Sequence, residues 1–311
     1  MNSLQHNFLE TFDKINFEQI KDHPNILIAA NFWDEDRYLA AKTCYKFMRA
    51  IDDLIDNHKS DHKTIAENEK NQFVSNVNDW INTLIVKNKE NPLQHELITT
   101  FERFKIPVWP MESFAKSMIY DIHSDGFATL QSFLRYAEGA SVAPASIFVH
   151  LCGIQKQNDH YTDPCFDVKE AATPCAVFSY LVHIIRDFQK DQFNNLNYFA
   201  DDVIEKNNLS RQKLSEIAHG AHIPAGFREL IKEYYWVADE YRQKTYNAIQ
   251  NIWPVLEPRY QVSLGIIFNL YLMVFERIDI QNGSFTIKEL NPTADEIKQR
   301  VYETIQSYPK V

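Results

Sequence analysis

Residues 45–56 read Tyr45-Lys46-Phe47-Met48-Arg49-Ala50-Ile51-Asp52-Asp53-Leu54-Ile55-Asp56. The stretch carries a helical period that extends over 34–57. On such a helix Asp52 and Asp56, four residues apart, leave the same face one turn from each other. A second stretch, Ser179-Tyr180-Leu181-Val182-His183-Ile184-Ile185-Arg186-Asp187-Phe188-Gln189-Lys190-Asp191, repeats the spacing with Asp187 and Asp191. Moving outward from these two, helical periodicity recurs at 6–20, 62–88, 93–104, 110–123, 128–152, 168–193, 210–218, 224–252, 255–280 and 293–307.

The breaks carry turn chemistry. Pro24, Pro92, Pro107 with Pro110, Pro164, Pro224, Pro254 and Pro292 fall between periodic segments, where the missing N–H is tolerated. Ser210 and Thr293 stand where N-caps belong. Asn57-His58-Lys59-Ser60 and Asn194-Asn195-Leu196-Asn197 read as polar turns after two long helices, and 153–167 as the longest loop. Only 7 of 311 residues are glycine, against roughly 7% in average chains. Strand-rich folds spend glycine on turns and bulges, and nucleotide folds spend it on phosphate loops. The expectation is an all-α fold: one helical domain over 1–311, with no linker, repeat or low-complexity tract.

Composition excludes several functions. A net charge of −10 argues against nucleic acid as a partner, because phosphate backbones require a basic face. The seven glycines form neither GxGxxG nor a P-loop. Cys44, Cys152, Cys165 and Cys175 show no CxxC and no zinc spacing, and read as buried thiols of a reducing cytosol. The acidic, polar start MNSLQHNFLETFDKI has no signal-peptide character. The most apolar stretch, 262–275, is interrupted by Ser263 and Asn269 and reads as a core helix. A cytoplasmic protein is expected.

Like charges four apart destabilise a helix by a few tenths of a kcal/mol, so something must offset the repulsion twice over. A divalent cation does so: hard cations such as magnesium take a few carboxylates plus substrate phosphates. Arg49 lies three residues before Asp52 and Arg186 directly before Asp187, and guanidinium forks suit phosphate oxygens. The pattern points to a diphosphate held between two helices. The competing reading is a solvated acidic face, with Arg186 and Lys190 simply pairing the second set. Leu54, Ile55, Ile184, Ile185 and Phe188 flank the acids, and acids embedded in apolar runs tend to face an interior cleft.

At this point the sequence resembles the squalene/phytoene synthase family, the head-to-head trans-prenyl diphosphate synthases. YKFMRAIDDLID is similar to the family's first aspartate-rich motif, and HIIRDFQKDQFNNLNYFADD to its second, including the tyrosine seven residues after the last Asp, here Tyr198. RFKIPVWPMESFAKSMIYDI and SFLRYAEGASVAPASIF resemble its central helices, and NLYLMVFERI its late tyrosine-bearing helix, with Tyr271 in place. The resemblance spans roughly residues 23–280 and implies a helical bundle of the isoprenoid synthase type around an apolar cavity. It implies magnesium, or manganese in its place, on Asp52, Asp56, Asp187 and Asp191, with Asp53 supporting. Arg49 and Arg186 would bind diphosphate, and Tyr45, Tyr198 and Tyr271 would line the chamber or bond the diphosphates. The substrates implied are prenyl diphosphates, farnesyl or geranylgeranyl, with peripheral membrane contact for release of an apolar product. NADPH use stays open, since reducing members of the family also lack the dinucleotide fingerprint.

Five residues depart from the family pattern. His183 stands for an Asn and Tyr180 for a Gln near the diphosphates. Lys190 stands for an acid before the last Asp, and Asn25-Ile26 takes the place of an early Ser-Phe; Tyr180, Lys190 and Asn25 are still expected to contact the substrate. The departures put squalene and phytoene as products in doubt and leave ionisation of a prenyl diphosphate in place. His183 shares the face of Asp187, and is open to ligating a metal, donating to a diphosphate when charged, acting as a base or filling space. Two readings compete with head-to-head transfer: ionisation and cyclisation of a single prenyl diphosphate, and an inactive relative serving as a binding or assembly protein.

Overall fold

The computed structural model describes residues 3–18, 25–62, 65–87, 92–158 and 160–309. In chain order run α1 (Ser3–Phe12), α2 (Asn25–Ala30), α3 (Glu35–His62), α4 (Glu67–Val86), α5 (Pro92–Phe104), α6 (Trp109–His123), α7 (Leu130–Ala137) and α8 (Ala143–Gly153). A short antiparallel hairpin follows, β1 (Gln155–Gln157) and β2 (His160–Thr162), with Gln155 opposite Thr162. The second half contains α9 (Val168–Arg186), α10 (Phe188–Phe193), α11 (Asp201–Lys206), α12 (Arg211–Ala218), α13 (Ala225–Ile252), α14 (Pro258–Phe275), α15 (Ile287–Leu290) and α16 (Ala294–Ser307). The architecture is all-α.

Local chemistry sets the boundaries. Ser210 accepts from the Lys213 N–H at the start of α12. Thr293 and Glu296 close a capping box on α16. Thr129 and Ser132 form another on α7. Asn194–Asn197 leaves the helix as expected. Asn57–Ser60 does not: α3 continues through it to His62. Lys59 explains the continuation, since its side chain is buried and its Nζ donates to the Ser124 carbonyl at 2.7 Å. Other expectations need correction. The expected helix 6–20 is the shorter α1, with 19–20, like Pro24, outside the described residues. The loop 153–167 contains the hairpin, held by buried Arg37, whose Nη2 donates to the Ile154 carbonyl at 2.7 Å. Helices α2, α11 and α15 are too short for periodicity to register.

The expected helix 128–152 is interrupted by a π turn over Glu138–Val142. A Cβ on Gly139 would lie 2.2 Å from the Ser113 carbonyl oxygen, so glycine lets this segment touch α6. The expected helix 168–193 breaks at Asp187, whose φ of −90° and ψ of 2° leave the helical basin. The hydrogen bonds run on across the break, from Asp187 N–H to the His183 carbonyl and from Asp191 N–H to the Asp187 carbonyl, both 2.8 Å. The four-residue spacing of the acids therefore survives.

Two clusters of buried side chains make up the core. One gathers α1–α6, α8 and α16, the other α7 and α9–α13. Helix α14 serves both, with Ile266 and Leu270 in the first and Phe268 and Val274 in the second. It is apolar all round, as a helix buried on every side should be. Its polar interruptions are satisfied: the Trp33 indole donates to Ser263, Ser263 donates to the Ala29 carbonyl, and Asn269 donates to the Gly265 carbonyl. Among the described residues no helix is long and apolar enough to cross a membrane. Cys44 and Cys152 are buried as expected, whereas Cys165 is exposed and Cys175 half-buried; all four are free thiols.

Candidate active site

A cavity of about 590 Å³ opens between α3, α6, α8, α9 and α14, within the roughly 300–1,000 Å³ typical of ligand sites. Its space has a sequence origin. On α9 the residues Ala172, Cys175, Ala176 and Ser179 recur at i, i+3, i+4 and i+7 and line the cavity together with Ala140 and Ser141 of the π turn. Side chains this small leave a void where larger ones would fill it. The stripe went unnoticed in the sequence, although its spacing is helical and it leads along α9 to His183 and Asp187.

The floor is apolar, with Phe114, Met118, Phe148, Leu151, Leu264 and Ile267 on it. The mouth is polar. Asp52 and Asp56 come to it from α3, and Asp187, Lys190 and Asp191 from the α9–α10 junction. Tyr45, Arg49, Tyr180, His183, Tyr198 and Tyr271 line the same cavity. The structure thus brings together most of the residues singled out from sequence. Three lie outside the lining. Asp53 takes an ion pair from Arg49 at 2.6 Å. Arg186 closes its fork on Asp187. Asn25 begins α2, whose next residues Ile26 and Leu27 do line it.

The two acidic pairs sit in different electrostatic surroundings. Asp52 retains 31% of its side-chain exposure, yet its carboxylate lies in a concave wall. Burial first, then repulsion from Asp56, pushes its pKa up to about 7, with Arg49 opposing. Burial also raises Asp56, against the pull of Arg49 and Lys59. On the other wall Arg186 Nε and Nη2 donate to both oxygens of Asp187, each at 2.7 Å. Burial acts to raise Asp187, but this fork outweighs it and holds the acid below the usual carboxylate range. Asp191, without such a fork, is driven well above it by burial and by Asp187. The pairing of Arg186 with Asp187 that sequence allowed as a bland alternative is real, and it involves only one of the four acids.

His183 points at the mouth and meets the Tyr271 ring edge-on at 5.6 Å. Burial, then Arg186 and Lys190, lowers its pKa to about 3. That burial favours the neutral imidazole in the free protein. Ser179, which also lines the cavity, donates to the Ala176 carbonyl at 2.9 Å. Tyr180 stacks on Phe133 at 5.4 Å and meets Tyr198 edge-on at 6.4 Å. Behind them Tyr136 donates to Asp121 at 2.5 Å, and burial lifts Asp121 to about 8. Tyr136 lines the cavity; Asp121 and Tyr136 carry no distinguishing spacing in the sequence and emerge only from packing.

The donor set suits a hard divalent cation. It consists of half-buried, mutually repelling carboxylate oxygens. Among the described residues no three acidic, histidine or cysteine side chains converge to form a complete cage. Magnesium is normally held this way, by one or two carboxylates, with phosphate and water completing the shell.

The family model for squalene/phytoene synthase matches residues 22–294. The chain belongs to the squalene/phytoene synthase family. The family match covers both aspartate pairs and every helix that lines the cavity. Solved structures agree in fold, that of the isoprenoid synthases. A dehydrosqualene synthase crystallised with a ligand superposes with a TM-score of 0.69 at 14% identity, covering 99% of each chain. Squalene synthase HpnC from Alicyclobacillus acidocaldarius gives 0.65 at 11% identity, covering 89% of this chain and 94% of that one. YisP from Bacillus subtilis gives 0.62 at 13% identity, covering 97% and 98%. Comparison with curated protein sequences gave no significant match.

Proposed function

We propose that this protein is a magnesium-dependent prenyltransferase that joins two prenyl diphosphates head-to-head and releases diphosphate. The observation that carries the reading is the pair of Asp-x-x-x-Asp arrangements lining the polar mouth of one apolar cavity. Family membership and a fold shared with a dehydrosqualene synthase and a squalene synthase support it.

Each part of the site has a task in that reaction. Asp52, Asp56 and Asp191, with Asp187 beside them, would hold magnesium, which when bound neutralises the charge that builds on a departing diphosphate. Arg49 and Lys190 add fixed positive charge at the same mouth. The apolar floor takes the prenyl chains and keeps water from the allylic cation. The faces of Tyr180, Tyr198 and Tyr271 offer π-density to that cation. His183 is neutral, so it adds no charge that would repel it. A scaffold without catalysis has no use for half-buried, mutually repelling carboxylates around an open cavity.

Pyrophosphate release from farnesyl or geranylgeranyl diphosphate tests this reading. Release should require magnesium or manganese and stop with excess chelator. Undiminished release in chelator contradicts the metal-dependent site.

A further inference from the structure

Three cationic side chains surround the mouth, and two are already committed. Arg49 Nη1 bonds Asp52 at 3.0 Å and Nη2 bonds Asp53 at 2.6 Å. Arg186 is closed on Asp187 and lies outside the cavity lining. Lys190 differs. It is exposed and lines the cavity, and its side chain makes no direct hydrogen bond or ion pair among the described residues. Its charge nevertheless acts on Asp56 from one wall and on Asp187 and Asp191 from the other.

The carboxylates are distributed just as unevenly. Both Asp187 oxygens accept from Arg186, so the α10 wall offers one uncommitted acid, Asp191, next to a lysine. The α3 wall offers Asp52 and Asp56. A diphosphate entering between them meets carboxylates that require a cation on one side and an ammonium that is itself a cation on the other. Lysine binds phosphate as a compact point charge with three rotatable donors.

We propose that Lys190 is a built-in cation of the diphosphate site: its ammonium donates to diphosphate oxygens on the α10 wall and supplies there positive charge that one further divalent ion would otherwise bring. The proposal rests on the reading of this cavity as a diphosphate site and specifies how that site is charged.

The test is calorimetric binding of inorganic pyrophosphate to the full-length protein across a series of magnesium concentrations, with Lys190→Gln and Lys190→Arg beside the wild type. Lys190→Gln should bind pyrophosphate at least about tenfold more weakly at low magnesium, the loss of one charge-assisted hydrogen bond. Its affinity should also rise more steeply with magnesium, by about one further ion taken up per pyrophosphate, as linkage requires. Lys190→Arg should keep the wild-type slope. Melting temperatures should match, because the side chain is exposed. An unchanged magnesium slope in Lys190→Gln overturns the proposal even if affinity falls, since a merely structural effect weakens binding without changing ion uptake. Wild-type protein that binds no pyrophosphate at any magnesium concentration overturns the diphosphate reading itself.

Discussion

The two walls of the cavity mouth carry the same Asp-x-x-x-Asp spacing and hold it by opposite means. On α3 the acids sit in one unbroken helix, and Asp52 shares its arginine with Asp53. On the other wall the chain breaks at Asp187, and Arg186 takes both oxygens of that acid, with side-chain exposures of only 17% and 21%. Equal spacing thus produces one wall with two acids above their usual range and one wall with a neutralised acid beside a raised one. Spacing says where the carboxylates point; their neighbours decide which still need a cation.

The sharpest way to break this comparison is to remove charge from each wall in turn. Asp52→Asn should lower turnover by about 10²–10³-fold, the usual cost of losing one group that stabilises a developing anion. Its melting temperature should hold or rise, because burial and Asp56 already disfavour the Asp52 charge. The sign follows from the raised pKa: stability from Asp52 is present in full below its unfolded pKa near 4 and is lost as pH rises toward 7. The gain from Asp52→Asn should therefore be largest above pH 7 and disappear in acid. Thermal melts across pH, beside pyrophosphate-release kinetics, give both numbers.

Asp187→Asn should behave differently. From sequence the two acids look interchangeable, and either change is expected to spare the fold. The structure revises that for Asp187, since its loss leaves a mostly buried guanidinium without its carboxylate. We expect a stability loss of about 1–3 kcal/mol together with lower turnover. Equal melting behaviour of Asp52→Asn and Asp187→Asn would erase the distinction between the walls.

The last contrast, on the same wall as Asp187, concerns His183. Its pKa falls to about 3 from a reference near 6.5, so its stability contribution is present above pH 6.5 and is lost as pH falls toward 3. Wild-type protein should lose about 1 kcal/mol per pH unit through this group in that window. His183→Asn should lose correspondingly less, read as a flatter dependence of unfolding free energy on pH. Turnover of His183→Asn should exceed that of His183→Ala.

Much of this was legible in the residues, and the gaps have physical causes. The long amphipathic helices and the Ser210 and Thr293 caps announce themselves because periodicity and capping are local. The break at Asp187 is not local, for Phe188 buries itself among α13 and Phe199 partners. The extension of α3 through polar Asn57–Ser60 depends on Lys59 reaching Ser124, 65 residues away. At the site, the acids were found because like charges at helical spacing demand an explanation. The Asp121–Tyr136 pair and the small residues of α9 were missed, since neither looks unusual until helices are packed together. Residue type alone points Arg186 at a diphosphate, while the structure gives its fork to its immediate neighbour.

Head-to-head transfer across this mouth is tested most directly by the carbon count of its product. Purified protein should be incubated with farnesyl diphosphate and magnesium, with and without NADPH, and the apolar extract analysed by mass. The account predicts a product with twice the carbon number of the substrate, formed only with the divalent ion and accompanied by released pyrophosphate. A product containing a single prenyl chain would contradict head-to-head joining and place the chemistry with ionisation and quenching of one substrate. Absence of any pyrophosphate release would contradict catalysis at these two walls altogether.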